Sequence, residues 1–304
     1  MLLFAEQTLN GVQYSALLFL LSAGLTLVFG IMNVINLTHG SFYMVGAFCA
    51  ASAAAATGSF AAAIVAAVLG AGLYGFVVER LVVRHLYRRD HLDQVLATLG
   101  LVLFTNELAT IVFGRSPPFM DIPPMLRGSI ELLPGLAYPT MRLAFIGAAA
   151  IVALALWFLL LRTPIGMLVR AGADDHEIVD ALGVDVRRVF LLVFVLGALL
   201  CGFAAVMSAP LLAVQIGMGE RILITAFVVI VIGGVGSVRG ALLGSFLVGM
   251  SDAYGRAWVP SLLAGFLPAQ LADPLASSLI SASAYILMAL VLLFRPFGLL
   301  PARI

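Results

Sequence analysis

The sequence predicts an all-α polytopic membrane protein with about eight or nine transmembrane segments, some of them broken or re-entrant. Three observations carry this prediction. Of 304 residues, 63% are hydrophobic and only 10% charged, with a mean hydropathy of +1.15; soluble domains carry about 25% charged residues. Apolar runs of about 20 residues, the length that crosses a hydrocarbon core, recur along the whole chain. The runs are continuous and do not alternate with polar residues, which excludes a transmembrane β-barrel. Residues 1–304 read as one transmembrane domain.

Spans are expected near 11–32, 40–57, 60–83, 94–113, 141–161, 188–210, 222–236, 240–258 and 276–294. The first two are separated by a polar interruption, Asn33 to Ser41, inside an otherwise apolar run. The second and third are joined by a tight Gly58-Ser59 turn. The loop 114–140 holds Pro117, Pro118, Pro123, Pro124, Pro134 and Pro139, which excludes a long helix, and Ser129–Leu133 suits a short strand of a hairpin or cap. It is either a rigid connector or a docking surface for an external partner. The seventh span is short, so a broken or re-entrant segment is expected there. A second proline-bearing segment, 259–275, is expected to join the surface formed by 114–140. The small residues Ala50–Ala56, Gly70, Gly72 and Gly75 read as close-packing surfaces.

All sixteen basic residues are arginine, a usage attributed to a GC-rich genome. Their placement orients the chain. Arg84, Arg88, Arg89, Arg162, Arg170, Arg187, Arg188, Arg239, Arg295 and Arg303 fall on one side if the spans alternate; Arg115, Arg127, Arg142, Arg221 and Arg256 fall on the other. The richer side is cytoplasmic, which puts the N-terminus outside and the C-terminus inside. The N-terminus lacks the basic region of a cleaved signal, so the mature chain is expected to start with it. Cys49 and Cys201 lie in apolar runs as packing residues, and no metal, nucleotide or protease motif occurs. A net charge of +1 gives no indication of nucleic acid.

Three stretches are candidates for function. In the interruption, Asn33, Asn36, Thr38, His39 and Ser41 supply donors and acceptors at a break bounded by Gly30 and Gly40, either as a pathway or gate element or as a surface turn. A weakly similar break, Ile232–Gly240, leads to Gly244-Ser245-Phe246 as the first leads to Gly40-Ser41-Phe42, hinting at an internal repeat. In the fourth span, Thr98, Asn106 and Glu107 are polar groups within an apolar run, and intramembrane polarity is by default a functional candidate. Asp252 and Arg256, four apart, are expected to pair as structural glue. In the loop 162–188, acids crowd a helix start at Asp174, Asp175 and Glu177, apolar residues recur at helical spacing, and Gly183 stands where a C-cap glycine would. This predicts a short amphipathic helix at the membrane surface, suited to binding a partner.

The stretch Arg170-Ala171-Gly172-Ala173-Asp174-Asp175-His176-Glu177-Ile178-Val179-Asp180-Ala181-Leu182-Gly183-Val184-Asp185 resembles the cytoplasmic coupling loop of ABC importer permeases. Joined with Asn33–Ser41, Gly233–Gly240, Ala97–Leu101 and Phe294–Leu299, in that family's order, the chain resembles the branched-chain amino acid permeases, specifically the first of their two permease subunits. The resemblance spans nearly the whole chain. It implies a non-enzymatic permease of the bacterial inner membrane, forming half of a pathway for branched-chain or other small hydrophobic amino acids. It implies a second homologous permease, two ABC ATPase subunits that bind ATP and Mg, a periplasmic substrate-binding protein, and no cofactor in this chain. It also implies that Ala173, Asp174, Asp175, His176, Glu177, Asp180, Ala181 and Gly183 couple to the ATPase. The same architecture carrying urea, short amides or aromatic carboxylates stays open. So does a stand-alone ion-coupled transporter, for which only Glu107, Asp252 and His39 are available as titratable groups.

Overall fold

The computed structural model describes residues 1–87, 89–114, 119–174, 179 and 183–301. Among these residues ten α-helices run in the order α1 (Leu2–Met32), α2 (His39–Thr57), α3 (Phe60–Leu81), α4 (His91–Phe113), α5 (Thr140–Arg162), α6 (Pro164–Asp174), α7 (Val186–Ser208), α8 (Met218–Gly233), α9 (Val238–Ala264) and α10 (Ala269–Phe294). The antiparallel strands β1 (Ser129–Leu133) and β2 (Leu136–Pro139) form the hairpin expected between α4 and α5. Helices α1 to α5, α7 and α10 are each long and apolar enough to cross a bilayer. Helices α8 and α9 form a further apolar pair, bent by 115° at the break between them, as a broken span or a re-entrant segment is. The bend falls where the short seventh span led to the expectation of a broken or re-entrant segment.

Helix α1 is apolar on every side, and such a helix is stable only when surrounded. The other helices wrap it: 83% of its most apolar stretch is buried, against 22% for α4, 17% for α5 and none for α10. Helix α1 packs most on α9 and α7, and helices α1, α2 and α3 each approach α7 through small residues. A methyl group on Gly24 of α1 would meet Gly197 of α7 at 2.9 Å, one on Gly46 of α2 would meet Gly202 at 2.8 Å, and one on Gly75 of α3 would meet Ala198 at 2.5 Å. The close-packing role read for Gly70, Gly72 and Gly75 holds, with Gly70 on Cys49 and Gly72 on Leu199. The outer helices expose large apolar side chains such as Ile111, Ile151 and Leu293. A hydrocarbon solvent or a partner membrane helix accommodates such a surface, and water does not.

Local signals set the helix ends. Ser59 accepts from Ala62 N–H, Asp185 from Arg188 N–H and Ser237 from Gly240 N–H, each capping a helix start. Two boundaries depart from expectation. Helix α1 begins nine residues early, because Asn10 Oδ1 is engaged by Tyr138 Oη at 3.1 Å and Arg142 Nη1 at 2.6 Å, tying its polar first turns to the hairpin end. The segment 259–275 is not an outer loop: α9 continues through Pro260 to Ala264 and α10 starts at Ala269, leaving a turn at 265–268. Pro274 sits in the second turn of α10, where the missing N–H removes a single bond near an exposed helix end.

Candidate functional site: the buried break between the first two helices

Asn33 ends α1 in the left-handed conformation, φ 49° and ψ 35°, with its N–H on Phe29 O. Asparagine tolerates this region better than other non-glycine residues. From there the chain doubles back. His39 Nε2 lies 3.0 Å from Leu21 O, and a methyl group on Gly24 would meet the His39 ring at 3.0 Å. Helix α2 therefore starts level with Leu21–Gly24, not beside Met32. At 1.5 Å per residue that start is about 12 Å inward from the end of α1. The break is accordingly no surface turn: Asn33 is exposed, but Asn36, Thr38, His39 and Ser41 are all buried.

Burial requires partners for these groups, and α4 supplies most of them. Asn36 Oδ1 accepts from Thr38 N–H at 3.0 Å; Thr38 Oγ1 donates to Thr98 O at 3.3 Å; Thr98 Oγ1 donates to Gln94 O at 2.7 Å. Gln94 Oε1 accepts from Ile35 N–H at 3.1 Å, while its Nε2 donates to Arg89 O at 3.1 Å and Leu86 O at 3.3 Å. Gln94 thus fastens the break to the start of α4, a role the sequence reading missed. Its signal was available: Gln94, Thr98 and Thr105 share one buried face of α4 at helical spacing. On the far side of α2, Cys201 Sγ lies 3.1 Å from His39 Nε2. Two buried atoms of the cluster, Asn36 Nδ2 and His39 Nδ1, have no hydrogen-bond partner among the described residues. An orphaned buried polar group costs about 1–3 kcal/mol, a cost that function often explains.

The structure thus gathers Asn36, Thr38, His39, Ser41 and Thr98, with Asn33 at the rim. It sets the other two candidates apart. Asn106, two turns further along α4, donates to Glu220 Oε1 of α8, and Glu107 faces outward, exposed. Asp252 and Arg256 pair as expected, in a two-point bridge at 2.7 and 2.9 Å.

The second glycine-rich break lies against the first. A methyl group on Gly30 would meet Gly236 Cα at 2.7 Å. The C-terminal segment closes over this junction, with Leu299 N–H on Ile232 O at 2.9 Å and Leu300 N–H on Gly233 O at 2.8 Å. Helix α6 reaches the same end of the molecule, where Gly172 approaches Ile31. Its buried residues, Gly166, Val169 and Gly172, recur every three positions, so α6 is amphipathic. It runs from Pro164 to Asp174, ahead of the helix read from the acids, most of which lies outside the described residues. Of the residues read as coupling to an ATPase, Ala173 and Asp174 close α6, and Gly183 has φ +86°, as a C-cap glycine requires. Asp175, His176, Glu177, Asp180 and Ala181 lie outside the described residues. Nearby, Tyr87 Oη donates to Glu79 Oε1, and burial, with that carboxylate second, pushes the Tyr87 phenol well up.

The model of the family described as branched-chain amino acid transport system / permease component matches residues 7–295. The high-affinity branched-chain amino acid transport system permease protein BraD of Pseudomonas aeruginosa is 29% identical over 311 residues, covering 98% of this chain and 95% of its own. The permease protein LivH of the high-affinity branched-chain amino acid transport system of Escherichia coli is 27% identical, covering 85% and 88%. A probable branched-chain amino acid transport permease protein LivH of Methanocaldococcus jannaschii is 25% identical, covering 79% and 77%. No solved structure matches.

Proposed function

We propose that this chain, which belongs to the branched-chain amino acid transport system permease family, is the transmembrane subunit of an ATP-driven importer and forms half of its pathway for branched-chain or other small hydrophobic amino acids. The observation that carries the reading is a family match over residues 7–295 that runs through both breaks and α6. In this reading a periplasmic binding protein delivers the solute. A second homologous permease lines the other half of the path, and two ABC ATPases, which bind ATP and Mg, drive alternating access. The chain lies in the bacterial inner membrane with its N-terminus outside and its C-terminus in the cytoplasm.

Within that frame the segment 173–183 docks on an ATPase, and the junction of the two breaks is the inner gate. The amphipathic α6 supports the docking role, since it leads from the gate end directly into the acidic segment. The buried polar cluster supports the gate: its hydrogen bonds hold α2 to α4, and rearranging them is a discrete event, not a gradual one. The test is co-purification with the ATPase subunits. Glu177→Arg or Gly183→Arg is expected to lose the ATPases while the chain still inserts and folds. Retained assembly with undiminished ATP-driven uptake overturns the docking assignment.

A further inference from the structure

A cavity of about 680 Å³ opens among α1, α2, α8, α9 and α10, and nothing above uses it. It lies midway along the helices: Tyr14 of α1, Tyr43 of α2 and Ser283 of α10 all line it. Its size falls in the range of ligand pockets, about 300–1,000 Å³. Three charges face it, Arg221 of α8 and the pair Asp252–Arg256 of α9. Asp252 and Arg256 balance each other. Arg221 makes no ion pair among the described residues; its guanidinium donates to the Gln215 side-chain oxygen, 3.3 Å from Nη1, in the amide orientation that satisfies both groups. The cavity therefore carries one cation in excess beside a carboxylate. The rest of its wall mixes apolar residues such as Ile222, Val228 and Val248 with hydroxyl groups, among them Tyr14, Thr225 and Ser283.

We infer that this cavity receives the backbone groups of a small zwitterionic amino acid, with the carboxylate on Arg221, the ammonium on Asp252 and an apolar side chain against the wall. A guanidinium offers a carboxylate two parallel, charge-assisted hydrogen bonds. Asp252 keeps lone pairs free beyond its two bonds to Arg256. The cavity also meets the gate. Tyr43 stands one turn after His39 on the same face of α2, and its hydroxyl is fixed 2.7 Å from Ser208 Oγ. Gly40 packs on Gly219, two residues before Arg221, so the starts of α2 and α8 touch at its edge. A residue bound here would sit next to the buried break.

The inference rests on the reading of the chain as an amino-acid permease, and the two are tested separately. ATP-dependent leucine uptake by the unmodified complex in proteoliposomes decides the reading; its absence overturns that reading. The cavity is tested on the full chain in nanodiscs without partners. A cysteine introduced by Ser283→Cys is labelled with a charged methanethiosulfonate, and labelling at that position is followed by mass spectrometry. Millimolar leucine is expected to slow labelling, and leucinamide, which lacks the carboxylate, is not. Arg221→Gln is expected to raise the leucine concentration needed for half-protection by about tenfold or more. Equal protection by leucinamide, unchanged protection in Arg221→Gln, or no protection by leucine overturns the assignment. Ser281→Cys, also on the cavity wall, provides the same measurement if Ser283→Cys fails to fold.

Discussion

Single side chains decide whether the break holds. Gln94 alone satisfies one backbone N–H of the interruption and two carbonyls beyond the end of α3. Gln94→Leu leaves the part-buried Ile35 N–H without its partner, at about 1–3 kcal/mol. Thermal unfolding of purified Gln94→Leu in detergent is expected at a clearly lower temperature than for the unmodified chain. Asn36 separates fold from function. Asn36→Asp keeps the acceptor for Thr38 N–H, whereas Asn36→Leu removes both the acceptor and the orphaned amide. If the cluster is the gate, Asn36→Leu and His39→Leu reconstituted with their partners lose uptake while assembly persists. Uptake at the unmodified rate would reduce the cluster to a structural joint. The residue types were legible in the sequence, since Asn, Thr, His and Ser inside an apolar run demand an explanation. Their burial was not. It depends on Gln94, which lies 58 residues after Asn36 and in the sequence looks like an ordinary polar residue at a helix start.

At the scale of elements, close approach of helices is set by glycines whose roles differ sharply. A methyl group on Gly40 would stand 2.3 Å from Gly219 O, a backbone atom that cannot swing aside. A methyl group on Gly147 of α5 would meet nothing within 4 Å. Gly40→Ala is therefore expected to destabilise by about 1–3 kcal/mol through overpacking. Gly147→Ala, in an exposed helix interior, is expected to be neutral or to stabilise by about 0.5–1 kcal/mol. Fluorescence-detected size exclusion of the two variants after graded heating checks the pair, and a Gly40→Ala variant as stable as Gly147→Ala would contradict the packing. Helix existence was legible throughout, because runs of apolar residues leave no alternative in hydrocarbon. Helix ends were less so. Pro260 and Pro274 read as loop residues, yet both lie inside helices. Proline signals a break only where no neighbouring structure absorbs the lost bond.

For the whole molecule, the arginine pattern and the packing agree on which ends belong together. The end of α1, the α8–α9 junction, the C-terminal segment and α6 meet at one end, while the β1–β2 hairpin meets the start of α1 at the other. The proposed orientation turns this into an accessibility test in intact cells. Ser129→Cys in the hairpin is expected to react with a membrane-impermeant maleimide added outside, and Arg295→Cys only after the membrane is permeabilised. The reverse pattern would invert the topology. The same architecture places α4, α5 and α10 at the periphery with their apolar faces uncovered, open to lipid or to a second permease.

Local sequence sufficed for the solvent, the helical class, the approximate spans, a short strand after α4 and the motifs that mark the family. Each of these follows from local composition, or from spacing along one stretch of chain, and needs no knowledge of distant residues. It took the folded chain to show that α1 is the most buried of the spans, how sharply α8 and α9 bend against each other, and that the interruption after α1 is a buried joint clamped by α4. It alone brought Arg221, Asp252 and Tyr14, which are far apart in sequence, to one cavity. The physical reason is the same in each case: in a bilayer every span must be apolar, so hydropathy identifies spans but cannot rank their neighbours. That choice is made by glycines that let backbones touch and by the few buried polar groups that must find one another.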